Sequence, residues 1–244
     1  MKKAIQFVLQ RLLGFERYLF VFALFIRAKL RWDRKEGHFM HFLTLLTPED
    51  TVLDIGANIG VMTTLLAKTC KKGHVFAIEP VPENLNTLRR MVQHFKLQNV
   101  SILPIALGDK ADTVQISMPV MQGVRMQGLS HVSSEPSGLY DTEVHSYEVE
   151  QKALDEMEEF SNRRVAAIKM DVENYEFFVL RGGRNMLAEH KPLIYCELWD
   201  NENRQKVFSL LEELGYACKV FDGKALLPFS PEIHQHQNFF FLPS

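Results

Sequence analysis

Asp54, Gly56 and Gly60 stand at spacings that suit one kind of chemistry, the seating of a nucleotide-like cofactor. They belong to VLDIGANIG (52–60), where an apolar run ends in an acid, turns at a glycine and enters a helix pattern at a second glycine. In an open α/β sheet such a turn builds a cofactor pocket. Gly56 permits a tight bend and close approach of a ligand. Gly60 is expected to bring the next helix near the sheet, with its first amides facing the pocket. The spacing separates two cofactor classes. A dinucleotide site reads G-x-G-x-x-G, with a pyrophosphate on the helix N-terminus. Here the pattern is D-x-G-x-N-x-G: Ala57 and Asn58 follow the first glycine, Asn58 takes the place of the second and Val61 that of the third. Asp54 would repel a pyrophosphate. It suits the amine and sulfonium of S-adenosyl-L-methionine better, so that cofactor is expected over NAD.

Further acids and turns fall at matching points. Glu79 comes about 25 residues on, at the end of a second apolar run, and its two oxygens match the vicinal hydroxyls of a ribose. Pro80 and Pro82 would hold that loop clear of the ligand. Ala106 and Leu107 offer a backbone amide and an apolar flank for an adenine. Asp109 either accepts from the exocyclic amine or closes a plain Gly-Asp turn. Lys169 and Asp171 share one side of a strand, so Asp171 emerges beside the cofactor's reactive group, with Glu173 in the loop behind it. Either acid could take a proton from a substrate hydroxyl; the rival reading is helix capping and dipole complementation. Glu197 enters the same rim, but two carboxylates make thin evidence for a divalent cation, and no metal is expected. His131 and His145 read as loop histidines, His234 and His236 as solvated ones.

The elements that must position these residues alternate. Strands are expected at 51–55, 74–78, 100–107, 165–170, 193–198, 217–221 and 238–242, the last two as an antiparallel hairpin. Helices are expected at 61–70, 82–95, 153–160, 175–189 with a break at Gly182-Gly183, and 202–214. Repeated β-α units imply an α/β fold: a Rossmann-like, mostly parallel seven-stranded sheet with helices on both faces. Between 108 and 151 the alternation lapses into glycines, prolines and short β-like pieces at 113–117 and 147–151. This stretch reads as an insertion beside the carboxyl ends of the strands, where substrate contacts gather, or as a surface excursion.

Residues 1–47 read as a helical extension, and 48–244 as the cofactor-binding domain. The extension's longest apolar run, 18–26, is too short to span a bilayer, which needs about 20 residues, and no small-residue cleavage site follows it. It reads as a cap packed on the domain or on a dimer partner, or as an interfacial helix with basic flanks that touches a membrane surface. The chain is 46% apolar and 24% charged with a net charge of −2, which argues against a general nucleic-acid binder. Cys70, Cys196 and Cys218 are odd in number and widely spaced, unlike a disulfide framework or a zinc site. The expected compartment is the cytoplasm, with peripheral membrane contact as the second reading.

The turn at 52–60, IEP (78–80), 106–109, VEQKALD (149–155) and IKMDVENYE (168–176) together resemble the FkbM-type family of class I S-adenosylmethionine-dependent methyltransferases. The resemblance covers roughly 50–200. Asn174 departs from the glycine usual after Asp-Val-Glu, though asparagine tolerates similar backbone angles. The resemblance implies O-methylation of a hydroxyl on a sugar or small natural product, with a small-molecule or glycan acceptor. No NPPY or DPPY element and no Pro-Cys pair is present for the competing chemistries on bases. The alternatives are a non-catalytic cofactor-binding scaffold at a membrane surface and an NAD-dependent oxidoreductase. The acceptor and the oligomeric state are not readable.

Overall fold

The computed structural model describes residues 10–30, 36–121, 124–125, 131–132 and 144–244, and the side chains of these except from 118 to 144. The strands in chain order are β1 (Thr51–Ile55), β2 (His74–Ile78), β3 (Val100–Leu103), β4 (Ala106–Gly108), β5 (Asp112–Met121), β6 (Val124–Arg125), β7 (His131–Val132), β8 (Val144–Ala153), β9 (Val165–Met170), β10 (Leu193–Glu197), β11 (Tyr216–Phe221), β12 (Leu226–Pro228) and β13 (Asn238–Pro243). The helices are α1 (Phe15–Leu30), α2 (Gly37–Thr44), α3 (Val61–Thr69), α4 (Pro82–His94), α5 (Glu176–Arg181), α6 (Arg184–His190) and α7 (Glu202–Glu213).

Among the described residues the main sheet has eight strands in the order β12-β11-β13-β10-β9-β1-β2-β3. The five from β10 to β3 are parallel, and β11, β12 and β13 join antiparallel. The expected hairpin strands do pair, and the strand beyond the expected seven is the three-residue edge β12. Strand neighbours point to opposite faces, and the core divides accordingly. Leu53, Phe76, Ile168 and Phe239 pack with Val179, Leu187 and Leu211 of α5, α6 and α7. Val52, Val75, Ala167 and Phe240 pack with Leu19, Phe39 and Leu66 of α1, α2 and α3. The chain runs from β1 outward to β3, then returns to place β9 on the other side of β1. This reversal is the switch point at which open α/β sheets bind ligands.

The N-terminal segment packs on the domain. Tyr18, Leu19, Ala23 and Leu30 of α1 are buried against α3 and α4. Arg27 donates to Thr64 Oγ1 at 2.7 Å and lies 4.0 Å over the Phe95 ring. Phe39 and Phe42 of α2 are fully buried beside Tyr195, and burial of each contributes roughly 1.5–3 kcal/mol. No helix among the described residues is long and apolar enough to cross a membrane.

Three expectations need correction. The strand expected over 100–107 stops at Leu103, because Pro104 has no N–H to continue the ladder. Ala106–Gly108 then joins a second sheet, β4-β8-β5-β6, with β7 beside β5. The helix expected over 153–160 is two 3₁₀ turns, Leu154–Glu156 and Glu158–Phe160. The insertion carries more structure than its short β-like pieces suggested: β5 and β8 pair along eight positions, from Asp112↔Gln151 to Pro119↔Val144. Tyr147 of β8 donates its hydroxyl to Glu83 of α4 at 2.7 Å, tying this sheet to the domain.

Candidate active site

The β1 turn is built by contacts that leave no room for a side chain. Gly56 has φ +73°, and a Cβ there would stand 1.8 Å from the Asp171 carbonyl oxygen. The ends of β1 and β9 are thus in backbone contact, closed further by the Asp171 amide donating to Ile55 O at 3.1 Å. Gly60, at φ +81°, caps α3. What its missing side chain admits is Leu88 of α4, whose Cδ1 would lie 2.5 Å from a Cβ, rather than the sheet.

The amides of the turn itself are taken up within the protein. Gly56 and Ala57 donate to Ile78 O, both at 3.0 Å, and Gly60 to Ala57 O at 2.9 Å. Asn58, at φ +50°, donates its amide to Glu79 Oε2 at 2.8 Å and accepts from Ile59 on its own side chain at 2.8 Å. All five amides from 56 to 60 are therefore engaged within the protein. A pyrophosphate would need such amides as donors, so the turn does not suit a dinucleotide.

Asp54 does something other than face a ligand. It is fully buried, and it pairs with Lys169 because β1 and β9 align these two positions in register. The Lys169 Nζ lies 3.3 Å from one carboxylate oxygen and donates to Gly56 O at 2.8 Å, while Thr63 donates to the other oxygen at 2.6 Å. Burial pulls the Lys169 pKa down, but Asp54 and then Asp171 outweigh it and leave the ammonium above its ordinary value. The acid thus shapes the turn through the lysine.

In front of the turn lies an open cleft whose empty space, part of it open solvent, is about 660 Å³. Of the expected cofactor residues, Gly56, Asn58, Glu79, Pro80, Ala106 and Leu107 line it. Asp54, Ala57 and Gly60 stand behind the wall. Asp109 is turned to Arg181, with which it forms an ion pair. The structure therefore does not bring Asp109 into the cleft: the Gly-Asp pattern marks a turn without saying which side it faces. Glu79 is buried and also accepts from Val81 N–H at 2.9 Å and Asn84 Nδ2 at 3.1 Å. Burial raises its pKa against these hydrogen bonds, which lower it. Ile78, Ile105 and Leu107 add apolar wall. Ile116 of the insertion sheet and Tyr175 also line the cleft, and neither was visible in the sequence as a wall residue.

Asp171 and Glu173 line the cleft on the β9 side of Gly56, with Glu79 on the β2 side. The loop between them and α5 is held in an uncommon shape. Glu173 and Asn174 both have positive φ, +51° and +75°, which non-glycine residues adopt only when the surroundings impose it. Glu176 Oε1 accepts the amides of Val172 at 3.1 Å and Asn174 at 3.3 Å. Asn201 donates to the Asn174 side chain at 2.7 Å, and Asn203 to its carbonyl at 3.1 Å. Asn174 thus occupies, with side-chain help, a backbone shape that glycine would take unaided. Burial, then Asp171, Glu197 and Glu176, push the Glu173 carboxyl up to about 8. Burial and Asp171 hold Glu197 at about 7. Among the described residues no group of three His, Cys, Asp or Glu side chains is arranged to hold a metal. His145 is exposed, and the His131 side chain lies outside the described residues. His234 and His236 are half-buried against each other rather than solvated.

A folded-state carboxyl near 8 against 4.5 unfolded contributes stability that is fully present below pH 4.5 and lost as pH rises through 8. Glu173→Gln removes that loss. It is expected to raise the thermal midpoint at pH 8.5 by roughly 2–8 °C, corresponding to about 1–2 kcal/mol after solvent screening, and to leave it unchanged at pH 4.5. Calorimetric scans at the two pH values check this; an equal shift at both would discard the assignment.

A family model described as the methyltransferase FkbM domain matches residues 54–218. Methyltransferase 1 of Beauveria bassiana (strain ARSEF 2860) is 29% identical over 189 residues, which are 71% of this chain and 75% of that protein. The solved structure of methyltransferase FkbM from Methylobacillus flagellatus KT aligns with a TM-score of 0.54 at 17% identity, a likeness of fold. That alignment covers 81% of this chain and 44% of the other, so this chain spans under half the length of that protein.

Proposed function

The chain belongs to the methyltransferase FkbM domain family, and on that premise we propose that it carries the methyl group of S-adenosyl-L-methionine to a hydroxyl oxygen of a sugar or small natural product. The observation that carries this reading is a single cleft with a buried acid, Glu79, on one side of Gly56 and the Asp171–Glu173 pair on the other. The cofactor, when bound, supplies an electrophilic methyl carbon on a sulfonium. Glu79 would take a ribose hydroxyl on Oε2, which accepts only from Asn58, since Oε1 already accepts from Val81 and Asn84. Ala106 and Leu107 would flank the adenine. Gly56, with no side chain, would leave the middle of the ligand its path past the β1 turn.

The remaining work falls to the β9 loop. Asp171 orients the acceptor hydroxyl toward the methyl carbon and accepts its proton as the oxygen is alkylated, the proton ending on a carboxylate oxygen. Glu173 stands beside it; with its carboxyl pushed up to about 8 it is mostly protonated near neutral pH, and it accepts a proton only in its minor ionised form. Much of the acceleration comes from holding the hydroxyl in line, which is why a loop fixed by Glu176, Asn201 and Asn203 is suited to the task. The engaged amides of the β1 turn argue against NAD, which favours this reading over hydride transfer.

Asp171→Ala is expected to lower turnover by roughly 10²–10⁴-fold while S-adenosylhomocysteine binds within about threefold of the parent. Labelled-methyl transfer to extracts and glycans, with the product identified by mass spectrometry, supplies the assay, and calorimetry the affinity. Unchanged turnover would remove Asp171 from the role. Binding of NAD without S-adenosylhomocysteine would overturn the cofactor.

A further inference from the structure

The outer face of α1 carries a surface that methyl transfer does not use. Of the eight large apolar side chains left exposed among the described residues, four fall between 12 and 25: Leu12 at 75%, Leu13 at 38%, Val21 at 54% and Phe25 at 62%. Arg17, Val21 and Phe25 recur at helical spacing, and the exposed Lys29 follows one turn later, so they form one stripe along α1. Arg11 and Arg17 are exposed at its N-terminal end. The acid nearest the stripe, Glu16, is drawn to α4, where Asn86 donates to it at 3.0 Å. Gly14, at φ +74°, sets the bend between the turn that holds Leu12 and Leu13 and the helix itself. The charge of the chain is divided along the same line. The first 30 residues hold six lysines and arginines and one acid, although the whole chain has a net charge of −2.

We propose that this face of α1 docks on an anionic lipid surface, lying in the interface rather than crossing it. The apolar stripe needs an apolar medium, which a nucleic acid does not offer. Arg11 and Arg17 at its N-terminal end need negative charge beside that medium. A second copy of the chain supplies the first and not the second: parallel pairing of two stripes sets Arg17 against Arg17, and antiparallel pairing about their middle sets it against the end that carries the basic Lys29. A bilayer with anionic headgroups meets both needs at once, with the apolar side chains reaching the acyl boundary and the arginines at headgroup level. The rest of the domain is net acidic and would be repelled by such a surface, so α1 fixes which side of the molecule faces the lipid.

The test is co-sedimentation of the full chain with vesicles of phosphatidylcholine alone and with 30 mol% phosphatidylserine, a composition of about one anionic lipid in three chosen for a cytoplasmic-leaflet potential. The parent is expected to bind the phosphatidylserine vesicles and to be released by high salt. Val21→Glu/Phe25→Glu is expected to weaken binding more than tenfold, and Arg11→Glu/Arg17→Glu by roughly fivefold or more per residue. These positions are exposed, and unchanged urea-denaturation midpoints of the variants report an intact fold. The inference does not rest on the proposed reaction, and catalytically dead Asp171→Ala should bind vesicles like the parent. Three results would overturn it: no binding by the parent, full binding by Val21→Glu/Phe25→Glu, or a stable dimer in sedimentation that this double substitution splits.

Discussion

Gly56→Ala is expected to abolish S-adenosylhomocysteine binding and to destabilise the fold by about 4 kcal/mol or more, a loss outside the common range for single substitutions. Two causes add. An alanine at φ +73° pays roughly 1–2 kcal/mol for the left-handed backbone. Its Cβ would also sit 1.8 Å from the Asp171 carbonyl oxygen, a backbone atom that cannot rotate away. Either the chain at Asp171 moves outward or the β1 turn does, and both line the cleft. Gly60→Ala is the control. Its φ is similar, but the nearest atom is the end of the buried Leu88 side chain at 2.5 Å, with the Leu88 Cα at 3.2 Å, rather than a carbonyl of the β9 end, so the cost of the left-handed backbone and of overpacking, about 2–4 kcal/mol together, falls on α4 and not on the cleft. Urea denaturation and calorimetry on both variants decide the matter. Retention of affinity by Gly56→Ala within twofold would show that the contact has no part in shaping the site.

Lys169→Met is expected to cost about 3–5 kcal/mol, because it leaves the Asp54 carboxylate buried without its counter-charge and the Gly56 carbonyl without its donor. Asp54→Asn alone should cost less, since the amide oxygen can still accept from Thr63. The double variant should recover more than half of the Lys169→Met loss, the buried charge now being gone from both sides. Denaturation midpoints of the four proteins form a double-mutant cycle. Additive losses would mean that the two side chains act independently, contrary to their 3.3 Å separation.

What the sequence disclosed follows from how local each signal is. The β1 turn, the acid at Glu79 and the acids at Asp171 and Glu173 were legible because each sits at the end of an apolar strand run, and parallel strands end on the same rim. The partner of Asp54 was not legible: Lys169 lies over a hundred residues away, and only the register of β1 against β9 places the two side by side. For Asp109 an adenine contact and a plain turn both stay open in the sequence, because a turn residue carries no sign of its direction; the ion pair with Arg181 of α5 turns it away from the cleft. Ile116 and Tyr175 gave no signal, since an apolar residue in an insertion looks the same whether it lines a cleft or fills a core. Glu176 carries no signal in the sequence beyond standing in the first turn of an expected helix. Its grip on the Val172 and Asn174 amides depends on the positive φ values at Glu173 and Asn174, which residue types hint at only through the asparagine.

The pairing of β1 with β9 also imposes an order of assembly. On the ribosome, β2 and β3 can join one edge of β1 soon after it emerges, and α3 and α4 can cover that half. The other edge of β1 has no ladder partner until β9 arrives, about 110 residues later. At roughly 5–20 residues per second this interval lasts on the order of 5–20 seconds, during which the five-residue edge of β1 presents unpaired amides and carbonyls. The central strand of the finished sheet is thus an edge strand in the nascent chain, and the cofactor turn at its end is completed only when β9 docks.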